Sequence, residues 1–144
     1  MGYRSTVGIM FKRDNKDAPS IPTVLALAKT KGILQGDTLG QYWNDEDYGW
    51  NDNKFLFYVE DVKWYEGYPD VQAMEKLFSF VEELSQESGD WYSGMFCRLG
   101  EQHDDAEQKT FGSDPWSDMW IVRDIGFEST ELLGNQKATE TQTT

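Results

Sequence analysis

The strongest constraint on this chain is a change in its hydrophobic period. Val71, Met74, Leu77, Phe78, Val81 and Leu84 recur at steps of three and four, with Glu75, Glu82, Glu83 and Glu87 on the opposite side. That spacing predicts one long amphipathic helix, opened by Pro69-Asp70 with Asp70 as N-cap and ended by Ser88-Gly89. Residues 3–12 instead alternate, with Tyr3, Ser5, Val7, Ile9 and Phe11 on one side and Arg4, Thr6, Gly8, Met10 and Lys12 on the other. A period of two rich in β-branched and aromatic residues predicts a strand. A chain that carries both periods has to rest helices on a sheet.

The remaining segments extend this plan. Arg13–Pro19 reads as a loop. Ser20 can cap a helix that starts at Ile21-Pro22, turns Val24, Leu25, Leu27 and Ala28 inward, and stops at Gly32. Thr38–Trp43 and Lys54–Tyr65 read as strands joined by the turn-rich connection Asn44–Asn53. Phe55–Val59 is apolar on both faces, which suits a central strand. Trp91–Leu99 and Met119–Phe127 read as further strands, separated by the polar stretch Gly100–Asp118.

The expected order is β-α-β-β-α-β-β. This is an α+β domain with two helices on one face of a mainly antiparallel sheet, in the ferredoxin-like split βαβ order with an extra C-terminal strand. One domain is expected over residues 1–133 and a disordered tail over 134–144, where nothing apolar is available to pack.

Six Trp, seven Tyr and eight Phe provide enough large apolar surface for a core in 144 residues. The longest apolar-leaning run, Ile21–Ala28, is far short of the roughly 20 residues that cross a bilayer. No secretory signal is visible at the N-terminus, and the lone Cys97 excludes an internal disulfide. These features lead us to expect a cytoplasmic protein.

Charge narrows the choice of partners. Residues 1–31 hold six basic and two acidic side chains, hence +4; the remainder holds seven basic and twenty-four acidic, hence −17, for −13 in all. Such a field repels nucleic acid and anionic membranes and attracts basic protein surfaces.

The motifs that carry chemistry are mostly incomplete. Asp45, Glu46, Asp47 and Asp52 offer oxygens to a hard cation. With Gly49 as the sixth residue of an EF-hand loop, however, the first, fifth and twelfth are Asn44, Tyr48 and Phe55, so no metal site is assigned. His103 lies beside Asp104 and Asp105, and with Cys97 could form the basis of a small hydrolase or metal-dependent enzyme. Zinc would need more Cys and His than this chain has. Gly32, Gly36 and Gly40 match no phosphate-cradling or dinucleotide spacing, so no cofactor is expected. Met1-Gly2-Tyr3-Arg4-Ser5-Thr6 formally fits a myristoylation pattern, but the same residues open the first strand.

Rings among carboxylates remain. Trp43, Asp45, Glu46, Asp47, Tyr48, Trp50 and Asp52 form the expected partner-binding set, the acids giving reach and the rings anchorage. Some of these rings also serve to close the edge of the core. Trp64, Tyr65 and Tyr68 lie among Glu60, Asp61, Glu66 and Asp70 in the same manner.

The opening Met1-Gly2-Tyr3-Arg4-Ser5, running straight into a strand, resembles that of small accessory proteins encoded by tailed bacteriophages. The resemblance implies a protein made in the host bacterial cytoplasm that binds, redirects or blocks a host protein. It is similar to DNA-mimicking inhibitors in charge only. The function expected is therefore a non-enzymatic acidic protein that meets a basic partner surface, such as that of a nucleic-acid-binding host protein. The alternatives are the enzyme built on His103, Asp104 and Asp105, and a homo-oligomeric structural or regulatory module.

Overall fold

The computed structural model describes residues 2–35, 38–102, 104–116, 119–121, 125–127 and 129–134. In chain order the elements are β1 (Ser5–Arg13), α1 (Ile21–Thr30), α2 (Thr38–Tyr42), a 3₁₀ turn (Asp45–Asp47), β2 (Tyr48–Trp50), β3 (Lys54–Val62), α3 (Pro69–Ser88), β4 (Tyr92–Gly100), β5 (Ala106–Phe111), β6 (Met119–Ile121) and β7 (Ile125–Phe127). Five strands form one sheet in the order β2-β3-β1-β4-β5, with every neighbour antiparallel. The architecture is α+β, a five-stranded antiparallel sheet with three helices.

β1 lies in the middle, and both of its faces are buried. Val7, Ile9 and Phe11 join Phe55, Phe57, Val59, Tyr92 and Phe96 in a core that α1 and α3 cover. Met10 belongs to a second core on the other face, with Leu56, Met95, Cys97, Met119 and Ile125. The register explains this division: Ile9 stands opposite Phe57 and Phe96, and Met10 opposite Leu56 and Met95, so like sides of three strands align. The aromatics stack within the helix-side core. Phe11 and Phe55 lie 4.7 Å apart at 8°, and Trp50 continues the series onto Phe55 at 6.2 Å.

Four expectations need correction. Thr38–Tyr42 is helical rather than a strand, because Leu39 and Trp43 stand four apart and both turn inward, and the Trp43 N–H donates to Leu39 O at 2.9 Å. The Asn44–Asn53 connection is not one long loop. It contains the 3₁₀ turn and β2, then a tight return in which Asn51 Oδ1 accepts from the N–H groups of Asn53 (2.8 Å) and Lys54 (2.9 Å). The stretch 100–118 contains β5, an edge strand whose polar alternation gives no apolar signal. Met119–Phe127 is two strands, β6 and β7, which pair with each other rather than with the main sheet. This ribbon covers the second core. Seven strands are therefore described where five were expected, five of them in the main sheet, and its full order is not the ferredoxin-like one.

The helix ends also differ in detail. Tyr68 is the N-cap of α3 and Pro69 its first residue, while the Asp70 carboxylate accepts the Val71 N–H at 2.9 Å. Gly89, at φ +81°, ends α3 as expected. Ser20 caps α1 by position, but its hydroxyl bonds Thr23 Oγ1 at 2.9 Å rather than a backbone N–H. The expected tail, apart from Gly134, lies outside the described residues.

Gly94 on β4 is a position where backbone and ring meet. A Cβ there would overlap the Phe111 ring and come within 3.1 Å of Met10 O. Gly94→Ala should cost ~1–3 kcal/mol in urea denaturation through overpacking. Gly67→Ala, where nothing lies within 4 Å, should stay within ~0.5 kcal/mol of the parent.

Candidate binding surface

Three places could bear function: the end of the sheet at Asp105, the 43–53 segment, and the outer face of α3. At the sheet end, the Arg98 guanidinium grips Asp105 with both terminal nitrogens (2.8 and 3.2 Å) and reaches Glu107 at 3.2 Å and Ser5 Oγ at 3.3 Å. The Tyr3 hydroxyl donates to Asp105 Oδ2 at 2.6 Å and accepts the Gln102 N–H at 3.1 Å, and the Tyr3 N–H donates to Tyr65 Oη at 2.6 Å. Gly100 is required here, since a Cβ would overlap the Asp105 carboxylate and the Tyr3 hydroxyl. Arg98, and secondarily Tyr3, hold the Asp105 carboxyl below the usual carboxylate range. Both of its oxygens are taken, so Asp105 ties the segment before β1 to β4 at the entry to β5 and is poorly suited to be a base.

The described members of the expected enzyme set do not gather around it. His103 lies outside the described residues, and Asp104 is exposed. Cys97 precedes Arg98 on β4 and so faces the opposite side of the sheet, packed with Met10, Leu56 and Met95. Burial pushes its thiol up to about 11, against a weaker opposing effect of the Gln108 amide. A thiol so held is protonated at neutral pH and is a poor nucleophile.

In the 43–53 segment rings and acids part company. Trp43, Tyr48 and Trp50 are only 9%, 3% and 9% exposed and belong to the helix-side core. Trp43 meets Phe57 edge-on at 5.0 Å and stacks on Trp64 at 6.0 Å. Tyr48 and Trp50 lie on a three-residue strand whose residues are all buried, which leaves neither ring available as a surface anchor. Asp45, Glu46 and Asp52 are exposed. Asp47 is half-buried and accepts the Asn44 N–H at 3.0 Å. Burial pushes its carboxyl up, the Asn44 bond pulls it down, and Glu46 adds a smaller upward push.

The third place was only partly visible in the sequence. α3 buries Val71, Met74, Leu77, Phe78 and Val81 against the sheet, and the segment after α1 runs beside its outer face. Between them lie two adjoining hollows of about 450 and 330 Å³ that share Ile33, Gln72 and Lys76. Ile33 and Phe80 supply apolar lining to the larger, with Glu66, Glu75 and Glu83 around it. Tyr42 lines the smaller and is 38% exposed. Five acids on α3 (Asp70, Glu75, Glu82, Glu83, Glu87) face one base, Lys76. Glu75 is also fixed from within, since the Trp64 indole N–H donates to its Oε2 at 3.3 Å. The acids could be read from helical spacing. Ile33 and Tyr42 could not, because the wall they form exists only once α2 is a helix.

Trp50→Ala should act on stability, lowering it by ~3–5 kcal/mol in chemical denaturation as other large core truncations do. The Asp105 carboxyl, lowered on folding, contributes stability that is fully present above the unfolded value near 3.9 and is lost as pH falls through its lower folded pKa. Asp105→Asn should remove that part of the acid limb in a plot of Tm against pH. Compared with protein-family models, curated proteins and solved structures, the chain shows no match.

Proposed function

We propose that this protein is a non-enzymatic interaction module that receives a basic segment of a partner protein on the acidic outer face of α3. The observation that carries this reading is the groove in which Glu66, Glu75 and Glu83 stand around Ile33 and Phe80. An arginine or lysine side chain has an apolar stem and a charged head, and such a groove offers a surface to each. A net charge of −13 adds long-range attraction for basic proteins and repulsion of nucleic acid. Asp45 and Glu46, just after α2, and Asp52, in the turn that bonds the start of α1, extend the negative field and give reach during encounter.

The opening resemblance to phage accessory proteins fits a host target, and a nucleic-acid-binding host protein has the required basic surface. Binding there would block or redirect that protein in the host cytoplasm. For the fold, we read the β2-β3-β1-β4 sector, with α1 and α3 in its long connections, as a split βαβ unit extended by β5.

The test is capture from a bacterial host lysate by the parent protein and by Glu66→Gln/Glu75→Gln/Glu83→Gln, each at low and at raised salt. The parent should retain a basic protein at low salt and release it as ions screen the carboxylates. The variant should keep the parent's Tm and retain at least roughly tenfold less, the loss of about 1.4 kcal/mol. Failure to recover a partner at low salt, or equal retention by the variant, would overturn the proposal.

A further inference from the structure

We infer that β5 is a self-complementary edge, through which two copies of the chain join their sheets antiparallel about a two-fold axis at Gln108. The inference rests on backbone direction and charge order and is independent of the groove on α3.

Direction comes first. The Gly100 N–H donates to Asp105 O at 2.8 Å, so the Asp105 carbonyl points toward β4. Pairing then runs without a bulge from Leu99 opposite Ala106 to Gly94 opposite Phe111. Alternate residues of an extended strand turn their main-chain groups to alternate sides. Glu107, Lys109 and Phe111 therefore turn theirs to β4, and Ala106, Gln108 and Thr110 turn theirs outward. Among the described residues no strand lies beyond β5. Ala106, Gln108 and Thr110 are exposed.

Charge then selects the occupant and the register. A two-fold axis at Gln108 sets Glu107 opposite Lys109 of the second copy, and the converse, in non-hydrogen-bonded pairs where side chains come closest. It also lets Ala106, Gln108 and Thr110 exchange both of their main-chain bonds with their opposite numbers. An axis at Glu107 would set acid against acid, and one at Lys109 would set base against base. Side chains 107 and 109 are 42% and 51% exposed and 3.9 Å apart within one copy, so they can reach across. The strip is also locally neutral in a molecule of −13, so the surrounding charge opposes association less there than over the helical face. An edge of six residues makes a small interface, and the dimer is accordingly weak and dependent on concentration.

Sedimentation of the full chain from ~1 μM to ~1 mM should show dimer growing in over that range. Glu107→Lys and Lys109→Glu should each raise the midpoint at least about tenfold, and the double reversal should return it toward the parent value. Gln108→Pro, which removes an outward N–H and the side-chain amide contact to Cys97 but leaves the ladder to β4 intact, should stay folded and monomeric. Gln108→Cys should form a disulfide-linked dimer on mild oxidation, because the axis sets the two Cα atoms ~5.5 Å apart. Thr110→Cys, displaced from its counterpart by ~13 Å, should not. A monomer throughout, single reversals without effect, or Thr110→Cys linking as readily as Gln108→Cys would each overturn the inference.

Discussion

Everything in this fold depends on a central strand whose middle is buried on both faces. β1 sits between β3 and β4 and offers Val7, Ile9 and Phe11 to one core and Gly8 and Met10 to the other. The two layers are therefore built around one backbone, and neither can be lost without exposing part of β1. Gly8 shows how closely the second layer sits. A Cβ there would lie 3.0 Å from Ile125, 3.2 Å from Met119 and 3.3 Å from Phe127, all on the short ribbon. With α1 and α3 on one side and the ribbon on the other, the sheet keeps no open face over its middle. Whatever the protein meets, it meets on helices, loops or edges.

The same strand and the residue before it also anchor several basic side chains near the N-terminus. Lys12 pairs with Asp114 at 3.2 Å. Arg13 reaches Asn53 at 2.8 and 3.1 Å and Ala18 O at 3.0 Å. Arg4 reaches Asp61 O at 3.1 Å, where Asp61 adopts φ +58° beside an irregularity in the β1–β3 register. These cations fasten strand ends to neighbouring loops. Among the described residues the acids of α3 have no comparable set of bases beside them, so the outward field there is more one-sided than the overall composition suggests.

How much could be read from residues alone follows from element length and apolar content. α3 was legible because twenty residues display the helical period several times over, and β1, β3 and β4 because their apolar sides are long. Thr38–Tyr42 was not, since five residues cannot show a period of 3.6 and Tyr42-Trp43 favour strands by propensity. β5 gives no apolar signal, because Ala-Glu-Gln-Lys-Thr alternates only among residues that an edge leaves in water. The candidate site divides in the same way. Glu75 and Glu83 are visible on a helical projection, whereas Ile33 reaches them only through tertiary packing. The rings of Tyr48 and Trp50 stand beside acids in the sequence yet turn inward, since proximity along the chain does not say which way a side chain points.

The bond between Trp64 and Glu75 has a consequence for how this molecule can be observed. The indole N–H that holds the carboxylate belongs to a ring stacked on Trp43 and 6.1 Å from Phe96, so one end of the aromatic cluster touches the groove wall directly. A cation that takes up Glu75 changes the electric field along that indole and weakens its hydrogen bond. The Trp64 share of the emission from six tryptophans thereby becomes an internal gauge of events on the outer face of α3, read without any label attached.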